Sequence, residues 1–100
     1  MLTKVLIKRR FIKGKTREIL SLLNEMRTNA MNLPGYISGQ TLTKPENPHH
    51  FLVISTWHSL NDWLAWKNNA SRNRIEKMLE IYQEMPTEYE EYVLGTPFSE

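Results

Sequence analysis

Asp62 and Trp66 stand four positions apart within FLVISTWHSLNDWLAWKNNASRNRIEKML, residues 51–79. On a helix that spacing puts both side chains on one face. An indole and a carboxylate so placed can hold a flat phenol: the ring stacks on the indole, the indole N–H donates to a developing oxyanion, and a carboxylate whose pKa is raised by burial takes the phenolic proton. The resulting electron-rich anion can react directly with oxygen. A plainer reading fits the same residues. Ser59 followed three positions later by Asp62 has the form of a capping box, in which the acid closes a helix start and Trp66 is core.

The other candidates are weaker. Trp57 and Trp63 read as core or dimer-interface aromatics. His49 and His50 are adjacent in a proline-rich stretch, point differently, and have no Asp or Cys beside them, so no metal site is expected. Arg72 and Arg74, near a helix break, either recognise an anionic substrate or form a solvated helix start. Tyr36, Tyr82, Tyr89 and Tyr92 cannot be ranked by sequence.

Several chemistries have no carrier. The glycines, Gly14, Gly35, Gly39 and Gly95, make no phosphate-binding loop, so neither a dinucleotide nor a flavin is expected, and no cofactor is assigned. No serine sits in a nucleophile elbow. The absence of cysteine rules out disulfides, a thiolate nucleophile and cysteine-ligated metal, and fits a reducing cytoplasm.

The elements that must position these residues follow from periodicity. Residues 3–12 alternate, with Val5, Ile7 and Phe11 on one face and Leu6 and Ile12 on the other, which predicts a first strand covered on both sides. After Lys13-Gly14-Lys15, the stripe Ile19, Leu22, Leu23, Met26, Ala30, Leu33 predicts a helix over 16–32, stopped by Pro34-Gly35. Residues 36–43 read as a more polar second strand, with Tyr36, Ser38, Gln40 and Leu42 sharing a face. The two prolines and polar content of 44–50 predict a hairpin loop, and the apolar run 51–57 a central third strand. Ser59 starts a short helix to about Asn68, and Ser71 caps the next, striped by Ile75, Met78, Leu79 and Tyr82. Residues 88–95 alternate again as a fourth strand.

This order predicts an α+β, ferredoxin-like βαββαβ fold with a split second helix and a four-stranded antiparallel sheet. Residues 1–95 form a single domain and 96–100 a short tail. One sheet face takes the helices. The other keeps apolar residues with nothing left in 100 residues to cover it, so two sheets are expected to pack face to face in a homodimer.

Charge placement argues against a nucleic-acid partner despite a pI near 9.0. Residues 1–20 hold seven Lys and Arg against Glu18, while 76–100 hold seven Glu against Lys77. With the first and last strands as neighbours, Lys8 and Arg10 lie across from Glu88, Glu90 or Glu91. The chain has no apolar run long enough for a membrane span and its start lacks a secretory core, so a cytoplasmic protein is expected.

Across essentially its whole length the chain resembles the antibiotic biosynthesis monooxygenase domain, a dimeric α+β barrel. The resemblance is carried by the Leu33-Pro34-Gly35-Tyr36 turn, by Val53-Ile54-Ser55-Thr56-Trp57-His58-Ser59 leading into a helix, and by Tyr92-Val93-Leu94. It implies either a cofactor-free oxygenase of polycyclic phenols and quinols or a heme-degrading oxygenase, each binding a flat aromatic substrate between helices and sheet. It also implies an important residue nine positions after the tryptophan ending strand three, which here is Trp66, and a polar side chain one turn earlier, here the acid Asp62. The axial histidine of the heme branch would fall at Glu76, and His49, His50 and His58 lie elsewhere, so heme degradation is not expected. The reading is a cofactor-independent monooxygenase of a small phenol or quinol with Trp66 and Asp62 catalytic. The alternative is a non-catalytic small-molecule-binding or structural dimer of the same fold.

Overall fold

The computed structural model describes residues 1–95; the expected tail, 96–100, lies outside the described residues. Its elements run β1 (Thr3–Arg10), α1 (Thr16–Met31), β2 (Tyr36–Lys44), β3 (Asn47–Trp57), α2 (Leu60–Lys67), α3 (Ala70–Glu80) and β4 (Glu88–Val93). The sheet is antiparallel throughout and ordered β2-β3-β1-β4, so each crossover helix spans a neighbouring strand and the helices cover one face. This is the ferredoxin-like α+β arrangement.

Period-2 alternation sets the inner face. Thr3, Val5, Ile7 and Arg9 of β1 are buried beneath the helices, while Lys4, Lys8 and Arg10 are exposed. Ile19, Met26 and Ala30 are the most buried residues of α1, with Leu22, Leu23 and Leu33 packed partly against the core. Trp57, Trp63, Ile75 and Leu79 are fully buried and join the two layers.

Three local readings change. The hairpin between β2 and β3 is a tight one around Pro45-Glu46, because pairing continues to Lys44 opposite Asn47. Pro48, His49 and His50 therefore belong to a strand rather than a loop, and His50 lies across from Arg10. A register shift between Tyr36 and Ser38 puts Tyr36 opposite Trp57. The extra residue swings Tyr36 onto the inner face with Gly39 and Thr41, where its ring meets Trp57 edge-on at 5.3 Å.

Asn69, not Ser71, caps α3: its side-chain oxygen accepts from the backbone N–H of Ser71 at 2.8 Å and of Arg72 at 3.1 Å. The helix then begins at Ala70, and its buried stripe is Arg72, Ile75, Glu76 and Leu79. Met78 is instead 41% exposed.

The β1–β4 pairing sets Lys8, but not Arg10, across from a glutamate. Lys8 faces Glu88 in register and bonds Glu90 diagonally at 3.2 Å. Glu90 is partly exposed, and hydrogen bonds from Tyr92 and from Lys8 hold its carboxyl below the usual range. Arg10 lies near the Met85 sulfur, and Glu91 turns to the inner face.

Candidate functional site

The site begins with the strand that delivers Trp57 to the helix carrying Trp63 and Trp66. Ser59, extended at φ −151°, accepts the Asp62 N–H on Oγ at 3.1 Å and donates its own hydroxyl proton to Asp62 Oδ2 at 2.9 Å. This reciprocal cap fixes where α2 starts, and hence which residues one turn on face inward. Gly35 supports it from below. At φ +90° it occupies a conformation that favours glycine, and a Cβ there would lie 2.4 Å from Asp62 Cγ.

Between α1 and the sheet lies a cavity of about 320 Å³. Its deep wall is aromatic: Trp57, Trp63 and Trp66, joined by Tyr36 and Phe51. Exposed residues on α1 (Leu20, Asn24, Arg27) and β2 (Gln40, Thr41) form its rim, and Arg27 reaches from α1 to the Gly39 carbonyl at 3.5 Å. The β2 bulge that turns Tyr36 inward also completes this wall.

Trp66 is therefore a cavity-wall residue, 5% exposed. The three indoles differ in their N–H groups. Trp57 donates to Ser55 Oγ at 3.2 Å and Trp63 to Glu91. The Trp66 N–H has no hydrogen-bond partner among the described residues. Asp62 is not among the residues lining the cavity; although it is on the same helix as Trp66, its carboxylate is engaged with Ser59 at the helix start.

The inner end of the cavity holds two buried cations, Arg9 and Arg72, each 2% exposed. Arg9 Nη1 donates to both Glu76 oxygens at 2.6 Å and lies 3.2 Å from both Gln83 Oε1 and Thr87 Oγ1. Glu76 also accepts from Thr87 at 2.9 Å and from Tyr89 at 3.3 Å. Arg72 in turn donates to Tyr89 at 2.5 Å and stands over the rings of Trp63 and Tyr89, 5.7 Å and 5.4 Å from their centroids. A polar chain thus runs Arg9–Glu76–Tyr89–Arg72. Burial alone would raise the Glu76 carboxyl, but Arg9, with smaller contributions from Arg72 and Thr87, outweighs it and holds the group below its ordinary value.

Satisfaction is incomplete at two atoms: among the described residues, Nε of Arg9 and Nε of Arg72 are buried without a hydrogen-bond partner. Such an orphaned donor costs on the order of 1–3 kcal/mol, more on a charged group. Lys67 and Glu91 beside them form a matched pair at 3.2 Å. The Trp63 indole N–H, opposed by partial burial and helped by Lys67, holds the Glu91 carboxyl below the usual range.

Of the two arginines weighed by sequence, only Arg72 reaches the cavity. Arg74 is exposed and pairs with Glu25 at 2.6 Å. Arg9, Glu76 and Tyr89 were not singled out as a site, yet a signal was present. Arg9 continues the apolar face Val5, Ile7, Phe11, and Glu76 sits beside Ile75 one turn from Arg72 and Leu79, so each is a charge on a core stripe. Glu76, at the position considered for an axial ligand, is bound to Arg9. His50 contacts Asn47 at 3.1 Å, and among the described residues no three His, Cys, Asp or Glu gather as metal ligands.

With this geometry in view, the sequence profile of the Antibiotic biosynthesis monooxygenase family matches residues 3–78. The chain belongs to that family. It is 34% identical over 69 residues to protein SchA of Streptomyces halstedii, covering 69% of this chain and 18% of SchA. A 42.8 kDa protein of the Streptomyces coelicolor whiE locus is 34% identical over 56 residues, 56% of this chain and 14% of that protein. The chain thus spans less than a fifth of the length of these curated relatives. Among solved structures, a conserved protein from Methanosarcina mazei superposes with TM-score 0.86 at 17% identity, covering 92% of this chain and 91% of its own. SnoaB, a cofactor-independent oxygenase from Streptomyces nogalater, superposes with TM-score 0.80 at 12% identity over 100% of both chains. At these identities the likeness is one of fold.

Proposed function

We propose that this family member is a cofactor-independent monooxygenase that oxidises a small phenol or quinol in the cavity between α1 and the sheet. The observation that carries the reading is the Trp66 indole, its N–H unpaired among the described residues, in the aromatic wall of a cavity that also holds Tyr36, Phe51, Trp57 and Trp63. A cavity of about 320 Å³ is at the lower end of the roughly 300–1,000 Å³ usual for small-molecule sites, which suits a flat ring system. The stacked ring presents its oxygen to the indole, and the phenolate it forms supplies the electrons. Dioxygen adds to a ring carbon bearing hydrogen; one oxygen atom stays as a new carbonyl and the other leaves as water with that hydrogen and the phenolic proton. SnoaB, described as a cofactor-independent oxygenase, lends support through its shared fold. Heme degradation is disfavoured because Glu76 is already held by Arg9.

For Asp62 we propose an indirect part: its cap sets the start of α2 and so the placing of Trp66. That leaves, among the described residues, no carboxylate or histidine lining the cavity to take a proton, an observation that favours the second reading, a binding or structural dimer without chemistry. The test is oxygen uptake with hydroquinones, naphthols and hydroxyanthracenes, without flavin or metal, using wild type, Trp66→Phe and Asp62→Ala. Losing a transition-state N–H donor lowers turnover about 10²-fold, so Trp66→Phe should fall that far while staying folded. Uptake no faster than the buffer blank across the panel would hand the protein to the second reading.

The partner in this proposal is a second copy. Leu6, Ile54, Leu52 and Leu42 occupy the outer face of the sheet by register, and Leu42 is 44% exposed. That apolar strip between Lys4, Lys8 and the glutamates of β4 fits a twofold sheet-to-sheet contact. Among the described residues no helix is long and apolar enough to cross a membrane, and a cysteine-free chain suits the cytoplasm, where we place it.

A further inference from the structure

The structure assigns a charge to the ligand: we propose that the cavity takes flat aromatics bearing an anionic oxygen, held by the unpaired N–H groups of Arg9 and Arg72. This builds on the proposed aromatic site and names its substrate class.

Charge is the first reason. Arg9, Arg72 and Glu76 are all buried, and together carry one net positive charge. Lys67 and Glu91 cancel each other nearby, so nothing described in the protein balances the surplus. Contact of Arg72 with the Trp63 and Tyr89 ring faces softens its burial but supplies no anion.

Unused donors are the second. A guanidinium has five N–H groups. Arg9 spends Nη1 on Glu76, while Nη2 meets only the Met26 sulfur at 3.8 Å and Nε meets nothing. Met26 itself lines the cavity. Arg72 uses Nη2 on Tyr89, reaches the Lys67 carbonyl with Nη1 at 3.5 Å, and leaves Nε unpaired. Both side chains line the same cavity as Trp66. Guanidinium groups on side chains that line an aromatic-walled cavity recognise a negative oxygen better than a neutral one, because charge-assisted bonds are the stronger kind; the two Nε donors are buried, so a ligand reaches them by a small shift of the side chains.

The anion is carried by the ring as a carboxylate or as an ionised phenol. Two probe pairs separate these: a hydroxynaphthoate against its methyl ester, and a nitronaphthol against its methyl ether. Binding is followed by tryptophan fluorescence near neutral pH. Wild type should favour the charged member of at least one pair about 10-fold or more, a difference of about 1.4 kcal/mol, and the pair that responds names the oxygen. Arg72→Met removes the surplus charge and should bring that ratio close to one. Glu76→Gln enlarges the surplus and should raise it, a change of sign that a merely structural cluster would not produce. Circular dichroism checks that each variant is folded, and the wild-type comparison stands without either.

Equal affinity within both pairs in wild type overturns the anion preference while leaving the aromatic site intact. A ratio unmoved by both substitutions in folded protein also overturns it. Failure of all four probes to bind removes the aromatic site and this inference together.

Discussion

Replacing Glu76 by Gln keeps the shape of the side chain and removes its charge, and it should be among the most damaging single changes in the domain. The Glu76 side chain is 11% and that of Arg9 2% exposed, and both carboxylate oxygens accept from Arg9 Nη1 at 2.6 Å. Oε1 also accepts from Thr87 and Tyr89. An amide cannot serve that set, since whichever position takes the NH₂ turns a donor toward Arg9. Breaking a buried pair by removing one charge costs about 3–5 kcal/mol. Against a total stability of about 5–15 kcal/mol for a small domain, that is a large share. At about 4–8 °C per kcal/mol for this chain length, the melting temperature should fall by roughly 12–40 °C.

The pH dependence gives an independent check. The folded carboxyl lies below its ordinary value of 4.5, so the unfolded chain binds a proton more readily as pH falls. The stabilisation is complete above the unfolded value and is lost as pH drops through the folded one. Glutamine has no such proton. In urea titrations the gap between wild type and Glu76→Gln should be constant near neutrality and narrow below about pH 4.5. The double variant Arg9→Met, Glu76→Leu should recover much of the loss, as apolar replacements of buried pairs commonly do. A single-variant loss under about 1 kcal/mol, or a gap indifferent to acid, would refute the assignment of Arg9–Glu76 as a buried ion pair.

Two other changes test the supports of the site. Gly35→Ala forces a side chain into a positive-φ position and against Asp62; backbone strain of about 1–2 kcal/mol plus a disturbed cap worth about 1 kcal/mol should lower the urea midpoint, and an unchanged midpoint would show that α2 does not depend on this contact. Ile54→Asp puts a charge on the outer sheet face beside Leu6; sedimentation should show wild-type dimer and variant monomer, whereas a wild type that is monomeric at all concentrations would count against the sheet-to-sheet contact.

Much of the fold was legible because local physics and global architecture agree. The α1 stripe, the Pro34-Gly35 stop and the Ser59–Asp62 box are short-range signals, and each element formed where they place it. Two prolines suggest a long loop between β2 and β3, yet Pro48 sits within β3 and cross-strand pairing extends past it to Asn47. Strict alternation sets Tyr36 on the outer face with Ser38, but one bulged residue inverts the period-2 pattern, and no local pattern announces a bulge.

The site divides along the same line. Sequence by itself determined that Trp66 would follow the central strand by a helical turn or two, and that Asp62 had a capping geometry available, since both depend only on spacing along one helix. Alternation along β1 also sets Arg9 on the face of Val5 and Ile7, although which face turns inward is not a local property. Only the tertiary structure decided that Arg9 and Glu76, 67 residues apart, meet beneath the helices, that Arg72 joins them through Tyr89 while Arg74 stays outside, and that Arg9 and Arg72 line the same cavity as Trp66. Such pairings depend on crossovers that bring β1, α3 and β4 together, and a buried charge reveals its purpose only once its partners, and the donors left without one, can be counted.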